Sequence, residues 1–432
     1  MSWPKKERED NLLLIFYLFD LFVVYLSWKS FKDIVNPISI TSFTWLLFLF
    51  LYNIISIGNE GYRKLSTLFY LSVIIYIATF SLVCLLFIKN VKQNQNRNIF
   101  NLDTINVSRN LVEGIIWFAI LANVYYILTL FNYAGTFNVI DVIYHIRNSA
   151  RGDGSVAFSS AIKLGSLLFN FSPLILCYVF LYDVKIKKYK VAILISEIFF
   201  ISLLLATKGR ILRFAILMII ILRKKLSKRK FYFSMIIMIP IFIILISILT
   251  IGRDHTYFEM YSVEDYIFLY LLSPIPAFDR LISGELSYFS NGFGVRIFSF
   301  MYEKIINPLF DINPYYVDPG YIYVTTEHGK ITTNVETILG SYYMDFGFVG
   351  VIICGLIMGT IFGFSYKKMR STKKSEYTIF YVLNVPYLFF QTFGDFLMPT
   401  FTITVQEFLS AVILAFVFRK FSIGKKNDRG SV

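Results

Sequence analysis

Apolar residues run along this chain in stretches, with the polar residues gathered between them rather than interleaved. A helix needs about 20 apolar residues to cross roughly 30 Å of hydrocarbon. Runs of that order fall at 12–28, 40–57, 68–88, 111–131, 161–182, 191–206, 209–226, 231–251, 337–365, 377–394 and 402–418. They predict eleven membrane-spanning helices. A further run, 265–278, is short and interrupted by Pro274 and Pro276, so it predicts an interfacial or re-entrant helix before it predicts a twelfth span. The expected fold is an all-α, polytopic transmembrane helix bundle of about 11–12 spans with a large extracytoplasmic loop. It divides into an N-terminal bundle over 1–251, the loop over 252–336, and C-terminal helices with a cytoplasmic tail over 337–432.

The polar stretches give the bundle a direction. Lys89, Lys92, Arg97 and Arg109 share one interval, Lys185, Lys187, Lys188 and Lys190 the next. RKKLSKRK (223–230), KKMRSTKK (367–374) and the tail from Arg419 follow. Basic residues of this kind mark cytoplasmic loops. The intervals alternating with them are then external. The longest, 252–336, holds eleven acidic residues and five basic ones, and a second, 132–160, holds Arg147 and Arg151. His145, His255 and His328 all fall in these two intervals.

Composition agrees: the 432 residues are 56% hydrophobic and 16% charged, with a mean hydropathy of +0.62. The net charge of +14 would raise the question of nucleic acid in a soluble protein, but here the loop clusters account for it, and no nucleic acid partner is expected. Cys84, Cys177 and Cys354 each lie in an apolar run without CxxC spacing, which argues against a disulfide framework or metal site. The first apolar run is not followed by a small-residue cleavage site, so it predicts a retained span rather than a signal peptide.

One hairpin carries candidate chemistry. The segment 191–226 has lysine-rich flanks on both sides, so its turn, ATKGR, must point outward. The first arm has sixteen residues, about 24 Å of helix, which keeps the turn near headgroup depth. Lys208, Arg210 and Arg213 sit there. Thr207 can cap the outgoing helix and Gly209 permits the turn. Arg210 and Arg213 share a helix face in a first turn whose free N–H groups attract anions. Phosphate binding is one reading of this cluster; snorkelling to lipid headgroups is the other.

The layout resembles the O-antigen and capsule repeat-unit polymerases, the Wzy-type family, and is more distantly similar to the O-antigen ligases. Three stretches carry the resemblance: ATKGRILRF between two spans, NVETILGSYYMDFGFVGVIICG (334–355) entering a late span, and NPISITSFTWLLFL (36–49) opening an early one. It implies a membrane glycosyltransferase fold and a metal-independent reaction without cofactor. A glycan on a polyprenyl diphosphate is transferred onto another lipid-linked repeat unit, at the outer face of the bacterial cytoplasmic (inner) membrane. Arg210 would hold the diphosphate, with Lys208 and Arg213 beside it. The implied partners are the polyprenyl-diphosphate-linked donor and acceptor, membrane lipids, a chain-length regulator and a flippase. The ligases' His-Asn pair is replaced here by Thr333-Asn334, with His328 upstream, which favours polymerase over ligase. A transporter of lipid-linked oligosaccharide is the alternative outside the enzymes.

Glycosyl transfer also needs a group to take the acceptor hydroxyl's proton, normally a carboxylate or histidine. His255, in Arg253-Asp254-His255, His328 and Glu336 are the candidates by position, as outer loop ends meet spans. Each has a plain alternative: an interface anchor for Arg253 and His255, a helix cap for Glu336. Arg147 and Arg151, in RNSARGDGS, make a second phosphate or sugar-acid clamp or a solvated loop. Asp345 and Asp395 fall near the outer halves of late spans, where an ionisable residue is a functional hypothesis; packing beside Gly347 and Gly350 competes for Asp345.

Overall fold

In the computed structural model the chain is described over 5–31, 35–56, 61–89, 108–151, 160–182, 184–205, 208–222, 271–290, 293–311, 329–372, 374–398 and 401–420, with scattered shorter pieces between them. The helices are α1 (Lys5–Phe31), α2 (Pro37–Ser56), α3 (Thr67–Ile88), α4 (Arg109–Ala134), α5 (Val139–Arg151), α6 (Ser160–Phe169), α7 (Phe171–Leu181), α8 (Lys188–Leu204) and α9 (Lys208–Leu222). Then come α10 (Pro274–Ile282), α11 (Ile338–Phe346), α12 (Phe348–Ser371), α13 (Ser375–Phe389) and α14 (Phe401–Lys420). Between α10 and α11, strand β1 (Phe289–Ser290) pairs antiparallel with β2 (Tyr316–Val317), and β3 (Ile322–Thr326) with β4 (Gly329–Thr333).

Seven helical segments among the described residues are long and apolar enough to cross a membrane: Leu13–Phe31, Pro37–Ser56, Thr67–Ile88, Arg109–Ala134, Ser160–Leu181, Phe348–Ser371 and Phe401–Lys420. The chain is a polytopic membrane protein. The expected spans at 191–206 and 209–226 appear as α8 and α9, which have 17 and 15 residues. The expected span 231–251 lies almost wholly outside the described residues.

One expectation is corrected. The run 337–365 is not one helix. Gly347 has φ +61° and ends α11, and α12 starts anew at Phe348. The turn is tight, because a Cβ at Gly350 would lie 1.9 Å from the Tyr342 carbonyl oxygen. Continuous hydropathy hid a break that only the glycine's left-handed conformation reveals. The run 265–278 is broken where the prolines predict: residue 271 is helical, 272–273 turn, and a new helix, α10, begins at Pro274, because proline at the first helical positions forgoes an N–H that would go unused anyway. Nearly every residue of α10 is buried.

The chain forms two compact units. Unit 1 comprises 1–96, 259–372 and 384–404; unit 2 comprises 97–258, 373–383 and 405–432. In unit 1, α3 and α12 run parallel. Gly355 meets Thr79 and Phe80, Gly359 meets Phe80 and Val83, and Gly363 meets Cys84 and Phe87. A small residue every fourth position lets two backbones approach, and such packing replaces the hydrophobic drive that lipid cannot supply.

Contacts sort the loops of unit 1 into two ends. At one end Arg63, from the α2–α3 connection, meets Asp279 of α10 and Glu285. The Ile338 amide at the start of α11 donates to the Gln391 carbonyl oxygen at 2.7 Å. At the other end the Tyr366 hydroxyl, near the close of α12, donates to Asp33 at 2.8 Å in the α1–α2 connection.

In unit 2, Lys190 at the start of α8 pairs with Glu113 at the start of α4 at 2.6 Å. Farther along these helices the Asn123 amide donates to Glu197 at 3.1 Å and accepts from Ser172 at 3.0 Å. The Tyr178 ring stacks on Phe418 with centroids 4.8 Å apart. Each unit thus pairs some of its buried polar groups across helices, as hydrocarbon surroundings favour.

Candidate functional site

Glu336 sits just before α11, whose N-cap is Thr337. Its side chain folds down over Gly340. A Cβ there would lie 1.9 Å from Glu336 Cγ, so only glycine at that position leaves the room. Burial pushes the Glu336 carboxyl above the usual carboxylate range, and the Arg296 guanidinium pulls only partly the other way. A carboxyl tuned upward by its surroundings is suited to accept a proton near neutral pH.

Asp345 has a different job. Its Oδ2 accepts the amides of Arg296 and Ile297 at 3.0 and 3.1 Å. It therefore fixes the 293–298 turn against α11. This contact places Arg296, a residue the sequence did not single out. The Arg296 guanidinium donates to the Val317 carbonyl oxygen at 2.5 Å and lies 4.7 Å from the centre of the Tyr316 ring. It ties down the short β1–β2 pair while its charge reaches Glu336 and Asp345.

Unit 1 also holds an ion-pair clamp. Arg63 Nε donates to Asp279 Oδ2 at 2.5 Å, and its two terminal nitrogens grip Glu285 at 2.5 and 3.0 Å. The other Asp279 oxygen accepts the Ser66 amide at 2.8 Å. Arg280 adds a bond to Glu285 at 3.0 Å and another to the Tyr323 carbonyl oxygen. Hydrogen-bonded, bidentate charge pairs of this type are strong and set geometry. Arg63 holds the Glu285 carboxyl below its ordinary value.

In unit 2, Arg210 and Arg213 lie on α9. Arg213 donates to Glu407 of α14 at 2.6 Å and to the Leu383 carbonyl oxygen at 3.2 Å. Its charge is thus balanced within the protein. Arg210 lies within electrostatic reach of the Tyr126 hydroxyl. Gly209, expected at the turn, is instead inside the first turn of α9 with open space around it. Lys208 is on α9 and Arg147 and Arg151 are on α5, but their side chains lie outside the described residues, as do Arg253, His255 and His328 altogether. The structure therefore brings Glu336 and Asp345 together around Arg296 in unit 1, and places Arg210 and Arg213 in unit 2.

The signal for Arg296 in the sequence was only its position in an acidic loop. Its partners, Val317 and Asp345, lie 21 and 49 residues away. No such partner can be read from local spacing. Among the described residues no group of three or more His, Cys, Asp and Glu side chains is placed to hold a metal ion. No family model matches the chain, and neither a curated protein nor a solved structure matches it.

Proposed function

We propose that the chain polymerises polyprenyl-diphosphate-linked oligosaccharide repeat units into a surface polysaccharide, at the outer face of the bacterial cytoplasmic membrane. The observation that carries this reading is Glu336: a carboxyl lifted by burial, seated over a glycine, and within the field of Arg296. The oxygen of an acceptor sugar hydroxyl attacks the anomeric carbon of the donor glycan. Its proton passes to Glu336, the bond to the diphosphate breaks, and the diphosphate leaves with the bonding electrons. Positively charged donors stabilise that leaving group without a metal. The resemblance gives this role to Arg210 and Lys208, which lie in unit 2; in unit 1 the cation whose charge reaches Glu336 is Arg296. Arg213, already paired with Glu407, has less charge to offer.

The outward direction rests on the basic intervals, which are read as cytoplasmic. The contacts within unit 1 group the loops into two ends, and loops expected on the same side of the membrane fall at the same end. Transport of lipid-linked oligosaccharide is the second reading. It is favoured by one observation, the fully buried Asp20 within the span Leu13–Phe31, because transporters place polar groups at midplane depth.

The test is a polymerisation assay with purified protein and lipid-linked repeat unit, the products separated on a gel. A ladder of lengths is expected. Glu336→Gln should slow its formation by about 100-fold or more, the ordinary worth of a general base, and Arg210→Ala should weaken it as well. A single addition to a lipid acceptor would identify a ligase. The absence of any new glycosidic bond would leave transport.

A further inference from the structure

Unit 1 contains a knot of buried polar groups that neither Glu336 nor the Arg63 clamp uses. Gln391 is its hub. Its side-chain oxygen accepts Trp45 Nε1 at 3.1 Å, and its side-chain nitrogen donates to Thr41 at 3.2 Å. Its carbonyl oxygen takes the Ile338 amide at the start of α11. Thr392 and Thr337 flank that last bond along the chain. Tyr342 follows one turn along α11, and the Tyr76 ring of α3 lies 6.1 Å from Trp45.

Tyr76, Tyr342, Thr337 and Thr392 are all fully buried, and the hydroxyl oxygen of each has no hydrogen-bond partner among the described residues. The same holds for Oδ2 of Asp395. Its other oxygen, Oδ1, accepts the amides of Leu397 and Met398 at 3.0 Å each, which shapes the turn before α14. Asp395 as a residue is partly exposed, but Oδ2 itself is enclosed.

Tyr76 and Tyr342 act electrostatically with Asp395, so at least three of these unpartnered atoms share one surrounding, and an unsatisfied buried polar group is costly. Water does not satisfy them, since these atoms are closed off and a bridging water needs room and two to four partners. A negative charge would be worse than a neutral group, because only the two amides on Oδ1 offset it and none of the described groups donates to Oδ2. A proton on Oδ2 removes the charge and with it the larger part of the desolvation cost. The groups that act electrostatically with Asp395 are Tyr76 from α3, Tyr342 from α11 and Cys354 from α12. From α2 the neighbours are the uncharged Trp45 and Thr41.

We propose that Asp395 reversibly binds a proton inside unit 1. The packing described above holds the protonated form. Losing the proton loosens the turn around 390–398 and, through the Gln391–Ile338 bond, the start of α11 beside Glu336. Burial pushes the Asp395 carboxyl up to about 6. With the folded value above the unfolded one, its contribution to stability is complete below the ordinary aspartate range and is lost as pH rises through about 6.

Trp45 provides the reporter. The chain has four tryptophans, Trp3, Trp28, Trp45 and Trp117. Replacing the other three by Phe in the full-length protein leaves Trp45 alone, and its emission is followed across pH in nanodiscs. One transition is expected with a midpoint near 6. Asp395→Asn should abolish it and hold the emission at its acid-side value. A flat emission, or a transition that survives Asp395→Asn, would each overturn the proposal. A midpoint that moves with sodium at constant ionic strength would overturn it too, by assigning the site to a metal cation.

Discussion

At the scale of single residues, Glu336 and Gly340 act as a pair. Alanine in place of Gly340 is better for an isolated helix by about 1 kcal/mol, yet its Cβ would occupy the space of the Glu336 side chain. Gly340→Ala should therefore leave the protein folded and still lower the polymerisation rate by about tenfold or more, because catalytic groups tolerate little displacement. Glu336→Gln tests the same residue through stability. A carboxyl raised by burial favours folding in its protonated form and penalises it once ionised. The neutral amide should raise the unfolding temperature at neutral pH while activity falls, and the difference from the parent should close as pH drops below the carboxylate range. Arg63 shows a contrast in magnitude. Asp279 is fully buried, so Arg63→Ala strands a charge and should cost about 3–5 kcal/mol in denaturant unfolding. Glu285 is more than a third exposed, and Glu285→Gln should cost less than about 1 kcal/mol. Because Arg63 lowers the Glu285 carboxyl, that smaller contribution is present at neutral pH and disappears as pH falls through the depressed folded value.

At the scale of elements, the parallel α3–α12 contact is the most exacting. A Cβ at Gly359 would come within 2.9 Å of the Phe80 carbonyl oxygen, and backbone cannot give way as a side chain can. Gly359→Leu should deplete folded protein on size-exclusion chromatography. Gly209→Leu should not, since nothing lies within 4 Å of that position. This contrast marks what local pattern can reveal. The Gly355, Gly359 and Gly363 spacing announces a packing face, and hydropathy announces the helices, because both follow from neighbours in the chain. The face's partner, α3, is some 280 residues away in sequence, with Cys84 bonded to the Gly359 carbonyl across 275 positions. For the same reason Arg213 reads as a free cation until Glu407 is seen beside it, 194 residues on. The break at Gly347 escaped because apolar residues continue through it on both sides.

At the scale of the whole molecule, sidedness is the property most open to direct measurement. Lys64 and Ser287 are exposed near the Arg63 clamp, and Ser371 is exposed at the end of α12. Cysteines placed at Lys64 and Ser287 should react with an impermeant maleimide from one side of the membrane and a cysteine at Ser371 only from the other. The native Cys84, Cys177 and Cys354 are buried and should stay silent in the folded protein. Asp279 lies 216 positions after Arg63. Ribosomes add about 5–20 residues each second, so Arg63 is translated roughly 10–40 s before its buried partner exists. During that interval its guanidinium has only water and lipid headgroups to satisfy it, and α2 and α3 stand in the bilayer without the strut that later fixes them. Maturation of this protein thus waits on the late arrival of one carboxylate, and a chain truncated before Asp279 should present Arg63 to insertion and quality-control machinery as an unmet charge.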